Sequence, residues 1–302
     1  MKAILQSRAV PYLAAFGTVF FWASAFPAAR YILQYYSPES IMLFRFTVAA
    51  VVLLGYCGVN KIPPPEKRDL PLFLLAGFVG LFMYSWFSVT GISLVPAGIS
   101  SFVISSAPIF TLILSIVFLK EKASGLIWVG VLVSLAGLAM ISSTQMEGLQ
   151  LNVGILFLLV AAGCTSTFNI VQKRIVRKYT AIQSSAYSFG IAALLMWVFL
   201  PTLVREFPHA PMTANLLIVF LGLFPSAIAY FLWGFALSRA EKTIYVSSFI
   251  YLMPFFSSIL AFLWLGEELP VLALLGGGII IAGMVITNVK QRKPAPREER
   301  AE

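Results

Sequence analysis

Ten runs of apolar residues follow one another along the chain, separated by short polar links. They cover about 11–34, 38–58, 70–90, 95–118, 124–142, 152–172, 181–201, 214–234, 243–264 and 269–288. An apolar helix of about 20 residues crosses the hydrocarbon layer of a bilayer, which is roughly 30 Å thick. The pattern therefore predicts an all-α integral membrane protein with ten transmembrane helices. None of the links is long enough for a soluble domain of ordinary size.

One residue pattern occurs twice, and the two copies are 146 positions apart. The first copy comprises Ser101, Ile104, Pro108, Ile113, Leu114, Leu119, Glu121, Gly130, Ala136 and Gly137, and the second comprises Ser247, Ile250, Pro254, Ile259, Leu260, Leu265, Glu267, Gly276, Ala282 and Gly283. Weaker matches precede them, with Tyr84 and Tyr230 at the same offset and Ser24 and Phe26 matching Ser166 and Phe168 at about 142. Self-similarity at a fixed period predicts an internal structural repeat.

Five predicted helices fall in each copy, which divides the chain into repeats at 1–146 and 147–288, followed by a basic tail at 289–302. Because five is odd, the second repeat enters the membrane from the opposite side. The sequence therefore predicts two inverted five-helix repeats, an arrangement typical of carriers with a substrate path between the halves.

Composition and charge place the chain in a membrane. Hydrophobic residues make up 60% and charged residues 11%, and the mean hydropathy is +0.91. The net charge is +9, and the basic residues outside the apolar runs lie on alternate links, the pattern of cytoplasmic loops; Arg205 is the only basic residue clearly on the other links, which otherwise hold glutamates. The basic links contain Lys61, Lys67, Arg68, Lys120, Lys122, Lys173, Arg174, Arg177, Lys178, Arg239 and Lys242, in register with Lys2, Arg8 and the tail. We expect a multi-pass inner-membrane protein with both termini in the cytoplasm and no nucleic-acid partner.

The first apolar run has two interpretations, because Ala23-Ser24-Ala25 after a basic start imitates a signal-peptide cleavage site. The run is longer than a signal h-region, and the first repeat needs its leading helix, so we favour a retained helix. The two cysteines, Cys57 and Cys164, lie in different runs and predict neither a disulfide framework nor a metal site. No cofactor, metal or catalytic residue is expected.

Several local motifs resemble those of EamA-type members of the drug/metabolite transporter superfamily. They are Phe21-Trp22-Ala23-Ser24-Ala25-Phe26, Pro38 with Arg45-Phe46, Pro108 with Leu119-Lys120-Glu121, and Pro254 with Leu265-Gly266-Glu267. The resemblance implies a ten-helix carrier whose cavity is lined by the first, third and fourth helices of each half. It also implies that the fifth helices serve dimerisation or support, so the protein is a monomer or a homodimer. Relatives export amino acids and other metabolites, and the resemblance implies no particular substrate.

The sixth run contains a polar stripe, because Thr165, Asn169 and Gln172 lie on one helical face. Asn and Gln both donate and accept hydrogen bonds, which suits a zwitterion or an amide. Such stripes also bond neighbouring membrane helices. We predict substrate contact for Thr165 and Asn169, and packing for Gln172.

The fourth and ninth runs each combine hydroxyl groups with a proline. Ser105 and Pro108 in the fourth have counterparts in Tyr251 and Pro254, and Ser247 precedes the latter pair. Proline removes a helical hydrogen bond, so it either frees a carbonyl towards a cavity or only shapes packing. We predict that the two prolines permit helix bending or gating, and that Ser105, Ser247 and Tyr251 contact substrate.

Aromatic residues complete the predicted cavity. Tyr84 and Tyr230 are repeat partners, Trp233 shares a face with Tyr230, and Trp22 and Ser24 lie mid-span in the first run. Aromatic walls bind apolar or cationic parts of ligands, although core packing explains many such residues.

Three charged residues are assigned structural roles. Arg45 lies about two turns inside the second run, where a charge is costly unless it pairs or meets water. It either attracts a substrate carboxylate or phosphate, or, as we favour, contacts helix-end carbonyls or an outer acid. Glu121 and Glu267 begin the turn into each fifth helix and are predicted to cap that helix or stabilise the turn, with gating or proton exchange as the alternative.

The sequence predicts a metabolite transporter working by alternating access, with a small-molecule substrate, most plausibly an exported amino acid or similar amphiphile. The alternatives are a carrier of nucleotides, nucleosides, organic cations or drugs, a channel or complex subunit, or a membrane-embedded enzyme. The enzyme has least support, since no catalytic cluster or phosphate loop is found in the sequence. None of the twelve acidic residues lies deep in a predicted span, which argues against carboxylate-based proton coupling.

Overall fold

In a computed structural model of the chain, the described residues are 10–94, 103–143, 153–265 and 271–289, and all of their regular structure is helical. Each of the ten predicted runs overlaps a helix in this part of the chain. Ser101, Glu267, the join between the predicted repeats and the basic tail after Val289 lie outside the described residues.

Most helices begin and end close to the predicted positions, whereas the fourth begins later than predicted and helical structure after the seventh continues past the predicted end of its run. The first five are α1 at Val10–Ile32, α2 at Pro38–Val59, α3 from Leu70–Leu75 through Ala76–Met83 to Tyr84–Leu94, α4 at Ala107–Leu119 and α5 at Gly125–Ser143. The other five are α6 at Val153–Ile175, α7 at Ala181–Met196, α8 from Met212–Leu221 through Gly222–Ile228 to Ala229–Arg239, α9 from Thr243–Ser247 through Ser248–Leu252 to Met253–Leu265, and α10 at Val271–Asn288. After α7 the chain continues through a 3₁₀ turn at Trp197–Phe199, a short α-helix at Leu200–Glu206 and a 3₁₀ turn at Phe207–His209. With that continuation counted as part of α7, seven of these helices are long and apolar enough to cross a membrane, while α4, α5 and α10 contain shorter apolar helices.

Two wide π-helical segments occur at equivalent positions, at Ala76–Met83 in α3 and Gly222–Ile228 in α8, since 222 − 76 = 146. Pro225 has no backbone N–H, and a π segment absorbs the missing bond. In α3, Gly80 allows close approach, because a Cβ there would lie 2.6 Å from Cβ of Phe168. The α3 segment packs against α6 and α7, and the α8 segment packs against α1 and α2.

The two prolines predicted to bend helices occupy different local structures. Pro108 is in the first turn of α4, which begins at Ala107 after a turn at Ser105 and Ser106. Proline fits the first helical turn without losing a hydrogen bond, and the role of Pro108 in helix bending or gating stays a prediction. Pro254 lies just after the tight 3₁₀ segment Ser248–Leu252 of α9.

Helices α5 and α10 form the most extensive helix pair in the described part of the chain. Glycines allow the contact: a Cβ on Gly137 would lie 2.6 Å from the carbonyl oxygen of Gly276. At the middle of the pair, Ser134 Oγ donates a hydrogen bond to the Ile280 carbonyl oxygen at 3.5 Å. Small residues that let helix backbones touch are typical of helix contacts inside membranes.

The outer surface is apolar along much of its height. Val51, Leu194, Leu132 and Leu216 are each more than 60% exposed. A soluble protein rarely exposes so much contiguous apolar surface, whereas hydrocarbon tails cover it without cost. The buried residues instead include many serines and threonines, which bond within or between helices.

Candidate functional site

An aromatic cluster joins α1 to α8 in the interior. The rings of Trp22 and Tyr230 are 5.2 Å apart, and those of Trp22 and Trp233 are 5.0 Å apart. Trp22 Nε1 donates to the carbonyl oxygen of Pro225 at 3.0 Å. The π segment of α8 therefore presents a carbonyl that orients the indole, and three of the predicted aromatic residues lie together.

Asn169 on α6 connects this cluster to α4. Trp233 Nε1 donates to Asn169 Oδ1 at 2.8 Å, and Asn169 Nδ2 donates to Thr111 Oγ1 at 3.2 Å. Asn169 and Trp233 are 1% and 0% exposed. Both ends of the amide are thus engaged by protein, and substrate contact by Asn169 stays a prediction. Thr111 was not predicted from the sequence, although it is the first polar residue after Pro108 in an apolar helix.

Arg45 of α2 reaches into the same region. Its Nε donates to Ser226 Oγ at 3.3 Å, and its guanidinium carbon lies 5.0 Å from the centre of the Phe46 ring. We expected Arg45 to contact helix-end carbonyls or an acid on the outer side. Among the described residues, Arg45 bonds neither of these. Ser226 was missed, yet a serine beside a proline within an apolar run marked a candidate.

Tyr84 and Tyr230, the predicted repeat partners, both interact electrostatically with Arg45. Tyr230 is 5% exposed and also contacts Phe168 and Phe189, at ring distances of 5.4 and 4.9 Å. Arg45 and Tyr84 are half-buried. The arrangement places one guanidinium and two phenols beside an aromatic wall.

The remaining predicted hydroxyl groups do not join this cluster. Ser24 donates to Phe21 within α1 at 2.7 Å, and Ser247 donates to Ile244 within α9 at 3.5 Å. Thr165 is half-buried. Ser105 and Tyr251 are fully buried, and neither hydroxyl has a partner in the described chain. Their predicted substrate contacts therefore require a conformation in which these two hydroxyls become accessible.

Gln172, predicted to pack, is fully buried, and both atoms of its amide lack partners among the described residues. The amide nitrogen faces Gly234 of α8, where a Cβ would lie 3.0 Å away. The residue is therefore in an interhelical contact, as expected, but without the hydrogen bond that packing glue implies.

Glu121 caps a helix, but not the predicted one. Lys120 has a left-handed backbone with φ of 55°, which ends α4 and turns the chain away. The Glu121 carboxylate accepts the Thr243 backbone N–H at 2.9 Å and the Thr243 hydroxyl at 2.8 Å. It therefore caps α9, in the other predicted repeat, instead of α5. The sequence indicated that this carboxylate accepts hydrogen bonds from the start of a helix. It could not indicate which helix, because the partner Thr243 is 122 residues away.

Other contacts join the same ends of the helices. Lys173 of α6 donates to the carbonyl oxygens of Leu237, at 2.6 Å, and Ala240 at the end of α8. Nearby, Lys178 forms ion pairs with Asp69 at 2.6 Å and Glu66 at 2.7 Å. The Lys178 hydrogen bond holds the pKa of Glu66 below its ordinary value, and its bonds to Asp69 and Glu66 raise the pKa of Lys178.

A groove of about 400 Å³ lies between α3, α4 and α6. Its lining includes Cys164, Thr167, Val79 and Ile113, and Ile113 is 45% exposed. The groove is apolar and opens at the outer surface. Its lining includes no residue of the Arg45 cluster. Within the described chain, no three potential metal-ligating side chains come together.

Comparison with known proteins adds a family to this geometry. The EamA-like transporter family matches residues 9–143 and 152–289. The uncharacterized transporter YdfC of Bacillus subtilis is 34% identical over 272 residues, covering 90% of this chain and 89% of the relative. A probable terminal-alkyne amino-acid exporter of Streptantibioticus cattleyicolor is 35% identical over 271 residues, covering 90% of this chain and 91% of the relative. A solved crystal structure shares the fold, with a TM-score of 0.76 at 18% identity over 93% of this chain and 97% of that chain.

Proposed function

The chain belongs to the EamA-like transporter family, and from that premise we propose that this membrane transporter exports an amino acid or a similar small amphiphile by alternating access. The observation that carries the proposal is the joining of polar and aromatic groups in one interior site. Arg45, Tyr84 and Tyr230 supply the polar groups, and Trp22 supplies the apolar wall, with the buried Trp233 packed against it. The relative described as a probable amino-acid exporter supports the same substrate class.

The proposed architecture is ten transmembrane helices in two inverted five-helix repeats, at 1–146 and 147–288. Two contacts between the repeats support it, because each has a similar counterpart when the repeats are interchanged. At the start of α2, which is capped by Ser37, the Ser37 N–H donates to Glu206 Oε2 at 3.0 Å. At the start of α7, which is capped by Thr180, Gln183 Nε2 donates to the Pro63 carbonyl oxygen at 2.9 Å. The two caps are 143 residues apart, and so are their partners Pro63 and Glu206.

The proposed location is the inner membrane with both termini in the cytoplasm, because the basic links then lie on the cytoplasmic side. In that orientation the Glu121–Thr243 cap and the Lys178 ion pairs are cytoplasmic, and the Ser37–Glu206 bond is external. Contacts between the two proposed repeats thus occur on the cytoplasmic side and on the external side of the membrane. Alternating access requires the cytoplasmic contacts and the external contacts to open in turn. We propose that the protein is not an enzyme and works as a monomer or homodimer.

An exchange assay with the purified full-length protein, reconstituted in liposomes, tests the proposed function. Liposomes loaded with an unlabelled apolar amino acid should accumulate the labelled form, and the rate should saturate with concentration. Liposomes without protein provide the control. Leakage that does not saturate would contradict a carrier, and saturable exchange of nucleosides or polyamines but not amino acids would assign a different substrate class.

A further inference from the structure

Arg45 places a charge in the interior with no anion to balance it. Among the described residues no carboxylate pairs with Arg45, and only Nε of its side chain forms a hydrogen bond, with Ser226. A guanidinium has five N–H donors in a planar fork, so its two terminal nitrogens are left free of described partners. An uncompensated charge at such depth is costly unless water or an anion reaches it.

The two phenol groups beside Arg45 also have hydroxyls without hydrogen-bond partners among the described residues. Neither the Tyr84 nor the Tyr230 hydroxyl bonds another described residue, and neither oxygen is among the sealed polar atoms of that part of the chain. Both hydroxyls therefore keep accessible surface next to the guanidinium. Ring contacts connect the guanidinium to Tyr230, because Arg45 lies 5.0 Å from the Phe46 ring. The Phe46 ring in turn lies 5.0 Å from Phe189, and Phe189 lies 4.9 Å from Tyr230. The space beside Arg45 is therefore bordered by α2 and α8, with Tyr84 of α3 within electrostatic reach of both Arg45 and Tyr230.

We propose that this space binds the carboxylate of the transported solute, with Arg45 as a bidentate donor and Tyr84 and Tyr230 as additional donors. The proposal rests on the proposed function and specifies what the site recognises. A guanidinium fork matches a carboxylate in geometry and charge. The apolar part of the solute then lies against Trp22, whose ring contacts Tyr230.

Charge balance selects a singly charged anion. The described side-chain contacts of Arg45 are with Ser226 and Phe46, and neither of these residues carries a charge. One positive charge neutralises a carboxylate, whereas a phosphate dianion would leave a negative charge uncompensated in the membrane interior. The ammonium group of an amino acid is tolerated against aromatic faces but has no acidic partner here. The site therefore accepts apolar monocarboxylates as well as amino acids.

Binding to the purified full-length protein, measured by titration calorimetry, tests the proposal with four matched probes: L-norvaline, L-norvalinamide, pentanoate and pentanamide. Each acid should bind about tenfold or more tightly than its amide, as expected for charge-assisted hydrogen bonds. In Arg45→Gln the preference for the acid should shrink to about twofold or less. The control Arg239→Gln removes an equal charge from the exposed end of α8, where Arg239 contacts Phe235, and should keep the wild-type preference.

Should Arg45→Gln fail to fold, Tyr84→Phe supplies the second test, because it removes one donor from a half-buried ring. It should weaken binding of both acids several-fold and leave both amides unchanged. Equal binding of acid and amide to wild type, no binding of either acid, an acid preference that survives in Arg45→Gln, or tighter binding of propyl phosphate than of pentanoate would each overturn the carboxylate site. Saturable amino-acid exchange alongside any of these results would leave the proposed function standing.

Discussion

Gly130 of α5 and Gly283 of α10 lie so close that a Cβ on either residue would be 2.6 Å from the carbonyl oxygen of the other. Real Cβ atoms do not approach oxygen so closely, and backbone atoms on both sides leave no flexible group to move aside. The relationship is reciprocal, as the proposed repeat would lead us to expect. Gly137 and Gly276, the predicted repeat partners of Gly283 and Gly130, form the matching contact.

Replacing Gly283 with alanine should therefore separate α5 from α10. We expect a loss of about 1–3 kcal/mol of stability, the usual cost of inserting a methyl group into a filled contact. The apparent melting temperature can be followed with a thiol-reactive fluorophore, because Cys57 and Cys164 are both buried in the folded protein.

Gly278→Ala is the matched control on the same helix, since a Cβ there meets nothing within 4 Å. It should leave the melting temperature unchanged or raise it slightly, because alanine favours helix over glycine by up to about 1 kcal/mol. A wild-type melting temperature for Gly283→Ala would be incompatible with the close contact of α5 and α10.

The Glu121 cap on α9 predicts a graded response to substitution. Glu121→Ala leaves the Thr243 N–H and hydroxyl without their acceptor and should cost about 1–2 kcal/mol. Glu121→Gln retains one acceptor oxygen and should fall between alanine and wild type in thermal melts. Lys122→Ala, at an exposed neighbouring position, should match wild type. If Glu121→Ala also matches wild type, the carboxylate does not secure α9.

The hydrophobic pattern predicted an all-helical chain and the approximate place of each long apolar helix, because crossing length and apolarity are local properties of the sequence. It did not predict the turn before Ala107 or the short helix Leu200–Glu206. The offset of 146 pairs Tyr84 with Tyr230, and both lie within electrostatic reach of Arg45. The π segments could not be predicted, since Pro225 marks the one in α8 but no proline marks the one in α3. Contacts such as that of Glu121 with Thr243 join distant parts of the chain and depend on packing of whole helices.

Asn169 offers a direct choice between packing and substrate contact. Asn169→Leu should cost about 1–3 kcal/mol, because it leaves the Trp233 indole N–H buried without an acceptor. In a Trp233→Phe background that N–H is absent, so the further cost of Asn169→Leu should be smaller. Melts of the two single variants and the double variant measure this coupling.

Ligand binding by the same variants separates the two roles. If Asn169 acts only through Trp233, the double variant should bind substrate no more weakly than Trp233→Phe. A further loss of affinity in the double variant would instead support the predicted contact between Asn169 and substrate.

The Lys178 ion pairs predict how stability depends on pH. Because the pKa of Glu66 is lowered, its contribution is present above the pKa of an unfolded glutamate and is lost as pH falls through the folded value. Because the pKa of Lys178 is raised, its contribution is present at neutral pH and is lost only at strongly alkaline pH. Lys178→Gln should therefore lower the melting temperature slightly at pH 7, and the difference should shrink as the carboxylates become protonated. A difference that grows towards acid pH would contradict this assignment.

The placement of acidic residues predicts that transport is not driven by protons. In the sequence all twelve acids lie at or beyond the ends of the predicted spans, and within the described chain Glu121 and Glu206 serve as helix caps. In proton-coupled carriers, a carboxylate inside the cavity commonly binds a proton on one side of the membrane and releases it on the other. Substrate exchange in liposomes should therefore proceed at the same rate with and without a pH gradient at zero membrane potential. Accumulation driven by the gradient alone, and its loss in Glu121→Gln but not in Lys122→Gln, would show instead that the α9 cap also carries protons.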